Sequence, residues 1–260
     1  MAMPSFGQNL NNESEFITCI RDFQSFMSQH IISEEQRVKE KMDEMYSDEG
    51  LRMLFGEKLK RFGDSLLPEE KRKMGIYGTS RENDVINVIS FNYTSIADLM
   101  APTIHPHGST MRGDLILGVD SIEQLYALPY NLSRKGERQF IKPIFNQQYD
   151  AARIIGTRNR IASAQIICIY GASLGESDLT WRMEVINWLK DDPERHLIIY
   201  DYELFHYPKD LLITERMDIE DDRKEVLLSE WQQHEITDEL VRNQIHFPVG
   251  YNMFDFSDDF

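Results

Sequence analysis

The chain has 260 residues, of which 41% are hydrophobic and 11% aromatic, enough for a sizeable core in one large domain or two small ones. This composition excludes collagen, a disordered chain and a small disulfide-stabilised fold. The 28 Lys and Arg against 44 Asp and Glu give a net charge of −16, which disfavours duplex nucleic acid and anionic lipid as partners. No apolar run approaches the roughly 20 residues of a membrane span and no secretory signal is evident, so we expect a soluble, cytoplasmic protein.

Residues 1–80 are predicted to form a helical segment. Asn12 is a suitable N-cap for a first helix, and a capping box that starts at Ser33 predicts a second one. A third helix is predicted to begin at Asp48 and to end at Gly63, because apolar residues recur there at helical spacing.

An α/β domain is predicted over 81–250, after a polar linker at 68–83 and before a mobile tail at 251–260. Five apolar, largely β-branched runs are typical of buried strands: 85–91, 115–117, 165–170, 196–200 and 243–248. Helical periodicity at 176–190 and 220–233 separates the later runs. This alternation predicts an open, mostly parallel Rossmann-like sheet flanked by helices.

A first polar cluster follows the first predicted strand, at the sheet edge where open α/β folds bind ligands. Asn92, Tyr93 and Thr94 come directly after that strand, and His105 and His107 follow. A histidine can take a proton from a hydroxyl group near neutral pH, and an asparagine can orient a water molecule without ionising. Two alternatives remain open: the asparagine only forms a turn, or the histidines are a surface pair or metal ligands without an evident third partner.

A second polar cluster lies between the third predicted strand and the helix after it. Such a turn offers free backbone amides to a phosphate or a ribose. The spacing of Gly171, Ser173 and Gly175 also matches a nucleophile elbow, and a hydrolase would then pair Ser173 with His107, although the α/β-hydrolase family has its histidine last. The simplest alternative is a tight turn in which Asp178 caps the helix.

In their order along the chain, these motifs resemble the AbiH family of bacteriophage abortive-infection proteins. The motifs are Phe-Asn-Tyr-Thr at 91–94, His-Pro-His-Gly at 105–108, Leu-Ile-Leu-Gly at 115–118 and Gly-Ala-Ser-Leu-Gly-Glu-Ser-Asp at 171–178. AbiH sequences look like distant relatives of the sirtuin-type NAD-binding fold. The resemblance covers about 85–189, and the helical segment before it matches only weakly.

The resemblance implies roles for individual residues. In sirtuin-like enzymes, an asparagine after a strand and a histidine before a glycine act on the bond between nicotinamide and ribose. By resemblance, Asn92 positions the attacking water or acceptor, and His107 deprotonates a ribose hydroxyl or that water. The cofactor-binding residues implied in the same way are Tyr93, Thr94, Gly108, Gly171, Ser173 and Asp178. NAD is therefore the expected ligand or substrate, and no metal is expected.

The sequence departs from the AbiH pattern at its start. Family members begin with a strand and a glycine-rich loop that resembles a phosphate-binding turn, whereas residues 1–9 here contain no such motif. We therefore expect a sheet without its first strand, in a truncated or divergent chain. Two functions stay open: a defence protein that binds or hydrolyses NAD or a related nucleotide, and a non-catalytic module that recognises a phage component. Either could form a homo-oligomer or bind a partner chain.

Overall fold

The computed structural model describes residues 12–76, 85–99, 101–125, 132–172, 175, 178–232 and 239–255. The expected lack of an N-terminal strand and loop at 1–9, and the end of the predicted tail at 256–260, lie outside these ranges. Two compact units make up the chain, each from separate stretches. The first unit comprises Met1–Gly50, Asn87–Arg158 and Leu174–Thr180, and the second comprises Leu51–Ile86, Asn159–Ser173 and Trp181–Phe260. The predicted domain limits at residues 80 and 250 stay predictions.

Helices predominate in the described ranges. The helices are α1 (Glu13–Met45), α2 (Asp48–Lys60), α3 (Pro68–Lys73), α4 (Arg134–Phe140), α5 (Lys142–Tyr149), α6 (Ala151–Ser163), α7 (Leu179–Asp191), α8 (Ile213–Gln232) and α9 (Glu239–Arg242). The strands are β1 (Val88–Ile89), β2 (Thr103–Ile104), β3 (Ile166–Tyr170), β4 (His196–Tyr200) and β5 (Ile245–His246). Within the part of the chain that the structure describes, no helix is long and apolar enough to cross a membrane.

The long helix α1 belongs to the first unit. Asn12 caps it as predicted, because its side chain accepts a hydrogen bond from the Glu15 amide at 3.0 Å. Near the same end, Phe16 packs edge-on against Phe140 of α4, with ring centroids 5.2 Å apart. The predicted second helix start at Ser33 is wrong, since α1 continues without interruption to Met45.

In the first unit, β1 and β2 form a two-stranded parallel sheet in which Val88 pairs with Thr103. The predicted strand at 85–91 is therefore much shorter than expected, and Val85 is 84% exposed. The predicted strand at 115–117 is wrong, because this segment forms no ladder. Its Ile116 amide donates instead to the His107 carbonyl at 2.8 Å.

In the second unit, β3, β4 and β5 form a parallel sheet in that order. The predicted strands at 165–170 and 196–200 are confirmed, and the one predicted at 243–248 is present but limited to β5. Helix α7 connects β3 to β4 as expected of a βαβ crossover. In the central strand β4, Leu197 and Ile198 are fully inaccessible to solvent. Ile198 and Tyr200 pack with Leu66 and Met74 in a hydrophobic cluster.

The α/β class and the parallel pairing are thus confirmed, but the predicted single large Rossmann-like sheet is not what the described residues form. They form two small parallel sheets, one in each unit. The predicted linker is also partly helical, because Pro68 begins α3 and Glu70 accepts a hydrogen bond from the Leu67 amide at 2.6 Å.

The buried carboxylate of Glu35 attaches α1 to two loops of the first unit. It accepts hydrogen bonds from the Ser95 amide at 3.0 Å and from the Ser95 and Thr110 hydroxyls, and Lys39 Nζ lies 2.7 Å away. Burial alone would raise the pKa of Glu35, but Lys39, Ser95 and Thr110 together lower it to about 2. These bonds hold the middle of α1 in place, which explains why the helix does not break at Ser33.

We predict that Glu35→Gln lowers the free energy of unfolding at pH 7 by about 2–3 kcal/mol, because the neutral amide loses the attraction to Lys39 and part of its acceptor capacity. The carboxylate contribution is complete above its ordinary pKa of 4.5 and is lost as the pH falls through about 2. Urea unfolding at pH 7 and pH 3 should therefore show a smaller difference from wild type at the lower pH. The control is Glu34→Gln, whose exposed pair with Arg37 contributes little; equal losses in both variants would contradict the prediction.

Candidate functional site

His107 is the centre of the candidate site in the first unit and lies on the turn after β2. Its side chain is buried, and Nε2 lies 2.7 Å from Oδ1 of Asp178. Because an ionised carboxylate can only accept, Nε2 carries the proton and Nδ1 of the neutral ring keeps a lone pair. Nδ1 is itself buried and has no hydrogen-bond partner among the described residues. A histidine oriented by a carboxylate, with its other nitrogen free, is the arrangement of a general base.

Asp178 is also bound by a buried lysine. Nζ of Lys142 lies 3.1 Å from Oδ1 of Asp178 and 3.7 Å from Oδ1 of Asp120. Burial alone would raise the pKa of Asp178, but the His107 hydrogen bond and the Lys142 charge lower it to about 2. Asp178 is therefore ionised at neutral pH, and its negative charge lies beside His107.

The cap at the start of α7 comes from a distant part of the sequence. Oδ2 of Asp120 accepts a hydrogen bond from the Thr180 amide at 3.0 Å. This bond satisfies one of the free amides of the helix N-terminus. The Asp178 carboxylate contacts His107 and Lys142 instead. This differs from the alternative in which Asp178 only caps the helix.

Two aromatic rings lie beside the His107 imidazole. The ring centroids of Phe91 and Tyr93 are 5.5 Å and 6.5 Å from that of His107. The Tyr93 hydroxyl donates to the Ile116 carbonyl at 3.3 Å. Burial and the nearby Asp178 charge raise the pKa of Tyr93 to about 12, so the phenol stays protonated. The base is thus flanked by flat, uncharged surfaces.

His105 fixes the backbone of the loop that carries Asn92. Its Nδ1 lies 3.2 Å from the Asn92 carbonyl and its Nε2 lies 3.1 Å from Oδ2 of Asp98. The Asn92 side chain is exposed on this anchored loop. Because His105 and His107 are both buried, the alternative that they form a surface pair is wrong.

The turn after His107 places further polar atoms inside the unit. The Ser109 amide donates to Oδ1 of Asp114 at 3.0 Å, and Arg153 donates to the other Asp114 oxygen. Arg153 also pairs with Asp150 at 2.7 Å. The Ser109 hydroxyl and the Nε and Nη1 atoms of Arg153 are buried without a hydrogen-bond partner among the described residues. Buried polar atoms normally have a hydrogen-bond partner, and the described residues supply none for these atoms.

The structure brings some of the predicted residues together and leaves others apart. His107, Asp178 and Tyr93 form one group, and Thr94 is half-buried on the same loop. Gly171 belongs to the second unit, where it ends β3 with a φ of +64°. Ser173 lies outside the described residues, so the Ser173 hydrolase hypothesis stays untested.

Sequence reasoning missed Lys142 and Asp120. A signal for Lys142 exists, because a lysine directly after Phe140 and Ile141 interrupts an apolar run and is expected to be buried with a partner. For Asp120 the sequence carries no comparable signal, since its partner amide at Thr180 is 60 residues away.

We predict that Asp178→Asn changes the tautomer of His107. An amide can donate as well as accept, so it no longer holds the proton on Nε2; ¹⁵N chemical shifts of the ring nitrogens should then report a mixture. The variant should also lose about 2 kcal/mol of unfolding free energy at pH 7, a contribution complete above the ordinary pKa of 3.8 and lost as the pH falls through about 2. Asp191→Asn, on an exposed side chain at the far end of α7, is the control. An unchanged tautomer in Asp178→Asn would contradict this assignment.

A second prediction concerns the turn at Gly108. Gly108 and Gly113 both have a positive φ, of +81° and +65°, so alanine strains the backbone at either position. A Cβ at Gly108 would lie 2.0 Å from the Asp114 carbonyl oxygen, whereas one at Gly113 would have no atom within 4 Å. Gly108→Ala should therefore cost at least about 2 kcal/mol more than Gly113→Ala in urea unfolding. Equal losses of unfolding free energy in the two variants would contradict this prediction, since they would mean that the backbone around Gly108 moves away from the added Cβ at no cost.

Comparison with known proteins identifies the family. The family profile described as Bacteriophage abortive infection AbiH matches residues 6–200, a span that includes every residue of the His107 site named above. Searches of curated proteins and of solved structures gave no match. Because the profile covers well over half of the sequence, the chain belongs to the AbiH family of bacteriophage abortive-infection proteins.

Proposed function

We propose that this AbiH protein acts in defence against phage by binding NAD or a related nucleotide in the first unit and hydrolysing its nicotinamide–ribose bond. The observation that carries the proposal is the His107–Asp178 pair, with a carboxylate 2.7 Å from one ring nitrogen and the other nitrogen buried and unpartnered among the described residues. Asn92 is the second proposed catalytic residue, on a loop whose backbone His105 fixes.

The proposed reaction consumes one water molecule. Its oxygen bonds to C1′ of the ribose, the C1′–N bond breaks, and the bonding electrons return to the nicotinamide nitrogen, which becomes neutral. Nδ1 of His107 takes the proton that the attacking water loses, either directly or through a ribose hydroxyl that passes it on, and the Asp178 carboxylate stabilises the resulting imidazolium. The imidazolium then releases this proton to solvent, which completes the balance of ADP-ribose, neutral nicotinamide and one proton. Asn92 orients the water through its amide.

The charge around His107 supports a cationic reacting group. The ionised carboxylate of Asp178 lies 2.7 Å from Nε2 of His107 and supplies a negative charge next to the base. The nicotinamide ring of NAD is positively charged, and positive charge develops on the sugar as the bond to the ring breaks. A fixed negative field stabilises that charge in the transition state. Phe91 and Tyr93 add flat surfaces of the kind that a planar ring packs against.

A non-catalytic interaction module is the second candidate. Exposed apolar side chains on α1 favour it, since Phe26 is 65% and Ile32 is 48% exposed. Such side chains, if grouped, mark surfaces that bind other proteins.

The first experiment is thermal unfolding of the chain with and without millimolar NAD or ADP-ribose. A ligand that binds only the folded state raises the melting temperature, by a few degrees when its concentration is about 100 times Kd. The absence of any shift from a cooperatively folded protein would favour the interaction module.

Turnover is then measured as nicotinamide release by chromatography. His107→Ala and Asn92→Ala should each lower kcat by about 100-fold or more, because each removes a group that acts on the reacting atoms. His206→Gln, an exposed histidine of the second unit, is the matched control and should retain wild-type turnover. Folded His107→Ala protein with undiminished nicotinamide release would refute the assignment.

A further inference from the structure

The second unit contains a group of metal-ligating side chains that the proposed function does not use; Glu220 and His246 are buried, and Glu70 is half-buried. One carboxylate oxygen of Glu70, one of Glu220 and a ring nitrogen of His246 all lie within 4.8 Å of one another. Nδ1 of His246 is 2.8 Å from the Glu70 oxygen and 3.9 Å from the Glu220 oxygen. Ligands of a tetrahedral ion with bonds of about 2.0–2.1 Å are separated by roughly 3.3 Å, which lies between these two distances.

Three different elements supply these side chains and hold them in place. Glu70 is on α3, and its second oxygen accepts the Leu67 amide at 2.6 Å. Glu220 is on α8 and accepts a longer hydrogen bond from the Phe247 amide at 3.3 Å. His246 is on β5 and is 2% exposed. Ligands fixed in this way need little rearrangement to bind an ion.

A second histidine orients His246. Nδ1 of His196 lies 3.1 Å from Nε2 of His246, deep in the sheet. Without an ion, Nδ1 of His246 is the donor to the Glu70 carboxylate. An ion that binds Nδ1 replaces that proton and requires the ring proton on Nε2, where Nδ1 of His196 can accept it. Metal-bound histidines commonly donate their other ring N–H to such a partner. The pair therefore allows the tautomer that an ion requires.

The cluster opens into a cavity of about 260 Å³. Apolar walls from Leu67, Ile213 and Met217 line this cavity together with the three ligands. Three protein ligands leave at least one coordination position for water or a small ligand, as in metal sites that exchange their fourth ligand. The cavity provides the space that this additional ligand needs and a route by which it reaches the ion.

Lys224 is the competing cation at this site. Its Nζ lies 2.7 Å from Oε1 of Glu220, and its side chain lines the same cavity. The described residues that line the cavity include four carboxylates and two lysines, which leaves the site negative: Glu69, Glu70, Glu220, Asp221, Lys73 and Lys224. An ion that binds Glu220 has to displace this ammonium, so Lys224 lowers the affinity for the ion.

We propose that Glu70, Glu220 and His246 bind a divalent transition metal ion, with Lys224 as the cation that it displaces. Two carboxylates and an imidazole suit Zn²⁺ or Mn²⁺ better than Mg²⁺ or Ca²⁺, which prefer oxygen ligands alone. This site is independent of the nucleotide chemistry proposed at His107.

The test is calorimetric titration of the chelator-treated full chain with ZnCl₂ and with MnCl₂. One equivalent should bind, and Glu220→Gln or Glu70→Gln should weaken binding at least tenfold. The matched controls are Asp218→Asn and Glu230→Gln, on exposed side chains of α8 that do not line the cavity, and they should bind like wild type. Absence of binding to the folded wild type, or equal binding by all variants, would overturn the proposal.

Lys224→Met gives a test in the opposite direction and keeps all three ligands. It should bind the ion at least several-fold more tightly than wild type, and the ion should raise its melting temperature by a larger increment. If Glu220→Gln fails to fold, the comparison of Lys224→Met with wild type still tests whether Glu220 binds the ion. A Lys224→Met protein that gains neither affinity nor an additional thermal shift would mean that Glu220 and Lys224 form only a structural ion pair.

Discussion

The half-buried carboxylate of Asp178 determines how three separate segments of the first unit meet. A charge removed from water needs close donors or cations, because burying it unpaired is costly. Asp178 finds both, in Lys142 at the start of α5 and in His107 after β2, while its own place is just before α7. The same bonds fix the tautomer of His107 and so prepare its other nitrogen. Architecture and chemistry therefore depend on one group in this acidic protein.

Elements whose determinants are contiguous in sequence were predictable. The Asn12 cap and the continuous apolar run of β4 are of this kind, and both are where the sequence places them. The prediction failed where a contact between residues far apart in sequence determines the local structure. Ser33 carries a good capping box, yet it lies inside α1 because Glu35 is held by loops about 60 residues further on. The run at 115–117 is apolar enough for a strand, but its Ile116 amide donates to the His107 carbonyl.

The residues of the candidate site also fall into two groups, those that the sequence predicts and those that only the structure shows. His107 and Asp178 were found from their motifs, and the structure joins them over 71 residues of sequence. Lys142 was missed because no neighbouring residue in the sequence indicates which carboxylate it pairs with, although a buried lysine needs such a partner. The group around His246 lay beyond sequence reasoning altogether, since its three ligands come from α3, α8 and β5 without any regular spacing.

The interleaving of the two units has a consequence for the order of events on the ribosome. The first unit needs residues 174–180, which are synthesised after part of the second unit, and the second unit needs β5 near the end of the chain. Neither unit can complete its fold when its first segment leaves the ribosomal exit tunnel, because its later segments have not yet been synthesised. Contacts of such long range form slowly and late. A cell that makes this protein therefore presents two incomplete units to its chaperones at the same time.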